Sequence, residues 1–302
     1  MQLFRSKWDK VVNIVNIAIL ALFLIVELYP LYFTLIASIS DPYQVSLNNV
    51  TLIPNGFSLE SYKEVFSDQG IWIGYANSLF YAVTGTLINL AFTLSCAFCF
   101  ARKPAFKGKG IVTGLLVFTM YFGGGLVPSY LLIRQMGLLD TRWVLILPGA
   151  LSVYNMIIVR TFYQTTIPDA LYESARIDGC TDIGMLLRIT LPLSKPIIAV
   201  MTLFFAVGHW NSYFGALIYV TDVSKQPLQL VLRRILILDD VLSELSLGSF
   251  SAEAMKDMVQ KQALAVSMKY AVIYVASLPL LIAYPFVQKH FVKGIMVGAV
   301  KG

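Results

Sequence analysis

Charge is what this sequence has least of. Only 13% of its 302 residues are Asp, Glu, Lys or Arg, while 57% are hydrophobic and the mean hydropathy is +0.72. A soluble domain of this length carries about a quarter charged residues, so a soluble fold is excluded. Alternation of apolar and polar residues along short segments is also missing, which excludes a membrane β-barrel. Three cysteines define little: Cys96 and Cys99 form a C-x-x-C inside an apolar run with no His or second Cys pair nearby, so no metal site is indicated. A phosphate-cradling loop is absent. The nearest text, "FKGKGIVTG", puts Gly110 where Ser or Thr must follow Lys109. The chain is therefore not expected to hydrolyse ATP itself, and no cofactor of its own is expected. The net charge of +6 lacks the clustered basic face with stacking aromatics that nucleic acid requires.

What is present is grease in six long runs: 11–37, 74–100, 111–133, 143–163, 196–220 and 270–288. Each approaches or exceeds the roughly 20 residues that cross a hydrocarbon core. The expectation is an all-α integral membrane protein with six transmembrane helices in a single transmembrane domain, 1–302. The first run is longer than a signal-peptide core and no small-residue cleavage site follows it cleanly, so it reads as a retained span. Arg102, Lys103, Lys107 and Lys109 crowd the 101–110 loop, and both termini are basic. The 38–73 connection carries Asp41, Glu60, Glu64 and Asp68 against Lys63. Basic short loops stay in the cytoplasm, which places both termini and the 164–195 loop inside, and the 221–269 loop outside. Cys180 is then a reduced, cytoplasmic thiol.

The 164–195 loop holds the stretch "YESARIDGCTDIGMLLRITLP", with more charge than any span tolerates. Pro168 and Asp169 suit a helix start, Gly179 a left-handed stop, and Thr181 or Asp182 a second cap, with Pro192 ending the second helix. The result is a helix–turn–helix elbow too poor in apolar residues to form its own core. A membrane-surface helix would show Lys and Arg on its polar face. Here Asp169, Glu173, Asp178 and Asp182 face only Arg176 and Arg188, so docking to a protein is the better reading.

Glu173-Ser174-Ala175, three residues, Gly179, nine residues, then Ile189-x-Leu191-Pro192 resembles the EAA loop of binding-protein-dependent ABC importer permeases, with Ser174 in place of the usual Ala. The six-run layout, "HWNSYFGALIYV" and the closing "FVKGIMVGAVKG" resemble the maltose-type, carbohydrate-importing subgroup with its MetI-like fold, so the likeness covers 1–302. The resemblance implies that Glu173, Ser174, Ala175 and Asp178 form a coupling helix seated on a cytoplasmic ATPase dimer, with ATP and Mg bound by that partner. Gly179 would make the turn, and Ile189, Leu191 and Pro192 would anchor the elbow to the spans. It further implies a bacterial cytoplasmic membrane, a second, homologous but different permease subunit, an external solute-binding protein, and contact of Lys293–Gly302 with the ATPase.

Polar groups inside apolar runs mark a candidate sugar pathway: Trp210, Asn211 and Tyr213 in the fifth run, Tyr154 and Asn155 in the fourth, Tyr121 in the third. Rings stack on sugar faces and amides pair with hydroxyls, but the same residues serve as hydrogen-bond glue between helices. The second use is the preferred one, and His209 reads as structural. An oligosaccharide is favoured over a monosaccharide, and Arg233 and Arg234 in the outer loop provide cations for an acidic one. Two rivals remain at this stage: an ion-coupled secondary carrier, which normally shows paired inverted repeats, and an intramembrane hydrolase using Ser212 with His209.

Overall fold

The computed structural model describes residues 7–102, 106–235 and 252–299, with side chains left aside at Lys7, 252–258 and 283–299. The described residues are helices and turns, with one isolated bridge, Ser40 to Phe57, and no strand. They divide into two compact units, Met1–Gln69 with Leu232–Ser277, and Gly70–Val231 with Leu278–Gly302.

In the first unit, α1 (Lys7–Ser38) is a continuous apolar helix despite Pro30. None of its most apolar stretch is buried within the chain. Only its end packs, with Ile36 and Ala37 joining Val45, Val50, Val266 and Tyr270. Asp41 caps α2 (Pro42–Ser46) by accepting the N–H groups of Tyr43 and Gln44. Gly56, at φ +68°, makes the turn before α3 (Glu60–Ser67). Ser61 donates to Ser267 across 2.7 Å.

The second unit is built around α4 (Gln69–Ala101), which has neither proline nor charge in 33 residues. Its buried face is dotted with small polar groups that tie other segments to it, as interhelical contacts in a membrane require. Asn77 donates to the carbonyls of Ser224 and Gln226, Tyr81 to that of Lys225, and Asn89 to that of Gly149. At the same end, the Asp140 carboxylate accepts the N–H groups of Thr221 and Asp222, and Lys225 bridges the Asp140 carbonyl and the Asp222 carboxylate. Hydrogen bonds from Ser224 and then Lys225 hold Asp222 down at a pKa of about 2, and the N–H of Asp222 holds Asp140 below its ordinary value.

Hydropathy does not see breaks, and the structure revises four of the six runs. The 111–133 run is α5 (Lys109–Tyr121) and α6 (Leu126–Gln135), bent by 116°. Gly125, at φ +83°, makes the corner at the end of the Gly123–Gly125 triplet. The 143–163 run is a 3-10 turn, Arg142–Leu145, then α7 (Val153–Thr166), only 14 residues long. Pro148 and Gly149 interrupt it, and Ser152 restarts it by capping Asn155. The 196–220 run stops at Trp210 in α11 (Lys195–Trp210), with α12 (Phe214–Tyr219) following. The last helix, α13 (Ala252–Ala299), takes in residues assigned to the 221–269 loop. Residues 236–251 of that loop, Lys103, and 300–302 of the tail lie outside the described residues. Among the described residues, three helices are long and apolar enough to cross a membrane, five if each bent pair counts as one crossing.

His209 is structural, as expected: its Nε2 lies 2.7 Å from Asn89 Oδ1. Gly85 makes room for the ring, since a Cβ there would sit 2.3 Å from Nε2. Held by Asn89, the imidazole cannot swing aside, so Gly85→Ala should cost about 2 kcal/mol through overpacking. A lowered melting temperature of the purified protein, partly restored by His209→Ala, is the expected measurement.

Candidate functional site

The charged segment folds as the predicted elbow. α8 (Asp169–Ile177) begins after Pro168 with Asp169 in its first turn, where an acid favours the helix dipole. It ends in a Schellman closure: Cys180 N–H donates to the Ala175 carbonyl at 2.8 Å and Gly179 N–H to the Arg176 carbonyl at 3.1 Å. Gly179 sits at φ +73°, the left-handed region that closure needs. Thr181, rather than Asp182, then caps α9 (Asp182–Met185) by accepting the Gly184 N–H. A π-helical turn, Leu186–Thr190, carries the chain into α10 (Leu191–Leu193). Pro192 does not end the helix; it lies in the first turn of α10, where its missing N–H is tolerated. The chain turns by 86° at Ser194 before α11 instead.

A helix of nine residues has no stability of its own, and the elbow is held by α4, α7 and α11. Ala175 and Met185, both buried, join one core with Phe98, Ala97, Val159, Tyr163, Ile197 and Met201. Tyr172, one turn before Ala175 on the same face of α8, packs edge-on against Phe98 and its hydroxyl meets Thr190 Oγ1 at 3.0 Å. Burial pushes the Tyr172 phenol above its ordinary pKa, so this bridge is between neutral hydroxyls. Ile189 and Leu191, half-buried, pack on the same core. Arg102, at the end of α4, stacks over Phe98 with its guanidinium carbon 5.2 Å from the ring centroid, and pairs with Asp182.

The motif residues therefore divide by direction. Glu173, Ser174, Asp178 and Pro192 are exposed, whereas Ala175, expected beside Ser174 at the docking tip, faces inward. The i, i+3 spacing of Tyr172 and Ala175 places both on the face that meets α4. Ile177 and Ile183, exposed at 87% and 70%, add an apolar tip that the motif does not contain. Arg102 and Phe98 were legible only as a loop charge and a span residue. Nothing in the sequence announces that they meet the elbow.

The pathway residues behave differently from one another. Trp210 is buried, its ring edge-on to Tyr75, and offers no stacking face. Tyr121, Tyr154 and Tyr213 are exposed, as is Asn211, and Asn155 is half-buried at the start of α7. These exposed rings suit contact with something outside the chain.

No protein-family profile matches the sequence. Individual proteins do. The chain is 40% identical over 298 residues to Protein LplC of Bacillus subtilis (strain 168), covering 99% of this chain and 97% of that protein. It is 39% identical to the polygalacturonan/rhamnogalacturonan transport system permease protein YtcP of the same organism, covering 94% of this chain and 96% of the relative. Among solved structures, it is similar to a chain of a bacterial ABC transporter involved in the import of the acidic polysaccharide alginate. That match has a TM-score of 0.82 and 30% identity, over 96% of this chain and all of the other.

Replacing Gly179 with Ala puts a Cβ into the left-handed region, at a cost of roughly 1–2 kcal/mol. Because the strain is local, amide exchange at Gly179 and Cys180 should speed up by about tenfold while exchange in α4 stays unchanged.

Proposed function

Because the chain belongs to the permease subunits of ABC sugar importers, a family of multi-pass, non-enzymatic transport components, we propose that its elbow is the ATPase-docking element and that its cargo is an acidic oligosaccharide. Membership sets aside both the ion-coupled carrier and the intramembrane hydrolase. It also brings the general company of such subunits: a partner permease, an ATPase and a binding protein.

One observation carries the docking reading: the elbow is rigidly held on one side and bare on the other. Ala175, Met185 and Tyr172 are set in the core of the unit, while Glu173, Asp178 and Ile177 have no cover from the described chain. A solvated loop would not spend two apolar side chains on open water at its tip, and an anionic leaflet would repel its acids. A protein groove with a basic wall suits both. In this reading Glu173, Ser174 and Asp178 contact the ATPase with Ile177 and Ile183, while Ala175, Gly179, Ile189, Leu191 and Pro192 set the elbow's attitude. ATP and Mg belong to that partner. A closed ATPase dimer that prefers one attitude of the elbow by about 1–3 kcal/mol is enough to bias the spans.

The membrane topology follows from the same placement. The chain crosses the bacterial cytoplasmic membrane six times, α7 serving as a short fourth crossing, with both termini and the elbow in the cytoplasm. The second permease is a different chain, and the exposed Tyr121, Tyr154, Tyr213 and Asn211 face the shared route. For the cargo, the support is chemical likeness: the polygalacturonan/rhamnogalacturonan relative and the alginate importer both handle acidic polysaccharides. Arg233 and Arg234 provide cations in the outer segment.

Glu173→Lys should leave the protein inserted and paired with its sister permease, yet lower ATPase co-purification about tenfold and abolish uptake. Undiminished co-purification and uptake would remove the docking assignment. For the cargo, cells expressing the system should accumulate trigalacturonate and not maltotriose, measured with labelled sugars. Preference for the neutral trisaccharide would overturn the acidic reading without touching the docking one.

A further inference from the structure

Asp182 is 72% exposed, while its partner Arg102 is only 14% exposed and lies over the Phe98 ring. This asymmetry needs a reason, because an exposed ion pair adds little to stability. Its place in the fold supplies one. Phe98 is in the last turn of α4, Arg102 directly follows the helix's final residue, and Asp182 opens the second arm of the elbow. Phe98 also carries the ring contact to Tyr172 in the first arm, and Tyr172 reaches Thr190 at the far end of the second. Both arms are thus referred to a single turn of α4. The apolar contacts seat the elbow on the core without direction of their own, whereas an arginine fixed by a ring and a carboxylate sets an angle. Beside the pair lies an open cleft of about 440 Å³ lined by Phe98, Cys99, Arg102, Phe106, Arg176 and Asp182. The pair therefore closes one wall of a space into which the elbow could otherwise tilt.

We propose that Arg102 and Asp182 form a latch that fixes the tilt of the elbow against α4, so that movement of the docked ATPase reaches the spans instead of being lost in that cleft. Arg102 is a positioning residue, and the inference rests on the docking role of the elbow. With the latch broken, the elbow still folds and still binds the ATPase, because Ala175, Met185 and Glu173 are untouched. What fails is transmission.

The experiment uses the assembled importer in lipid nanodiscs, with Arg102→Gln, Asp182→Asn and the reversed pair Arg102→Asp/Asp182→Arg. ATP with vanadate closes the ATPase, and the readout is the resulting change in amide exchange over residues 214–235, far along the chain from the latch. Both single variants should keep melting temperature and ATPase attachment, with attachment within about twofold of the unaltered complex, as loss of an exposed pair predicts. The nucleotide-induced exchange change should fall about fivefold in each, the low end of typical coupling between sites, and the reversed pair should recover at least half of it. An undiminished response in either single variant overturns the latch. So does a reversed pair no better than the singles, or a response lost together with melting temperature, which marks a merely structural contact. Glu173→Lys run alongside separates the two claims: if it leaves the ATPase attached, the docking role itself fails, whatever Arg102 does.

Discussion

Burial of Ala175 and Met185 among the ends of α4, α7 and α11 is the constraint on which the rest depends. The elbow has a defined turn from its own residues, through the Schellman closure at Gly179 and the Thr181 cap. Those bonds fix its local shape but not its orientation. Orientation comes from the core it shares with the spans, and from Arg102 and Tyr172 meeting on Phe98. A short charged element holds one attitude only because its apolar back is part of the core beneath it.

α4 plays the corresponding part for the rest of the second unit. Between its two ends it gathers the 140–142 and 221–228 segments through Asn77, Ser78 and Tyr81, then α11 and the Gly149 corner through Asn89, then the elbow through Phe98 and Arg102. Close approach is permitted by glycine where bulk would intervene: Gly85 receives His209, and a Cβ on Gly74 would lie 3.0 Å from the Leu228 backbone. In a membrane, where apolar contact between helices gains little over contact with lipid, such small-residue approaches and hydrogen bonds supply the specificity. By contrast α1 offers an apolar surface that its own chain leaves bare over its most hydrophobic stretch.

The revisions to the hydropathy reading share one cause. Gly125, the Pro148–Gly149 pair and Asn211 sit at breaks between helices but are too few to lower a run's mean hydropathy much, so a count of greasy residues passes over them. Likewise Trp210, an apt sugar-stacking ring by type, is covered by Tyr75, and no spacing rule reports which neighbour a ring will meet.

What the sequence determined by itself was the solvent and the elbow: scarce charge forces the chain into lipid, and the EAA-like spacing with Gly179 writes a helix–turn–helix between the fourth and fifth runs. Both are legible because they are local, one a matter of composition and the other of backbone conformation at a single glycine. Only the tertiary structure decided which faces of that elbow are bare, which residue of the Ser174–Ala175 pair turns inward, and that Arg102, eighty positions from Asp182 in the chain, closes against it. Those are outcomes of packing between segments remote in sequence, and packing is set by shapes that no single stretch contains.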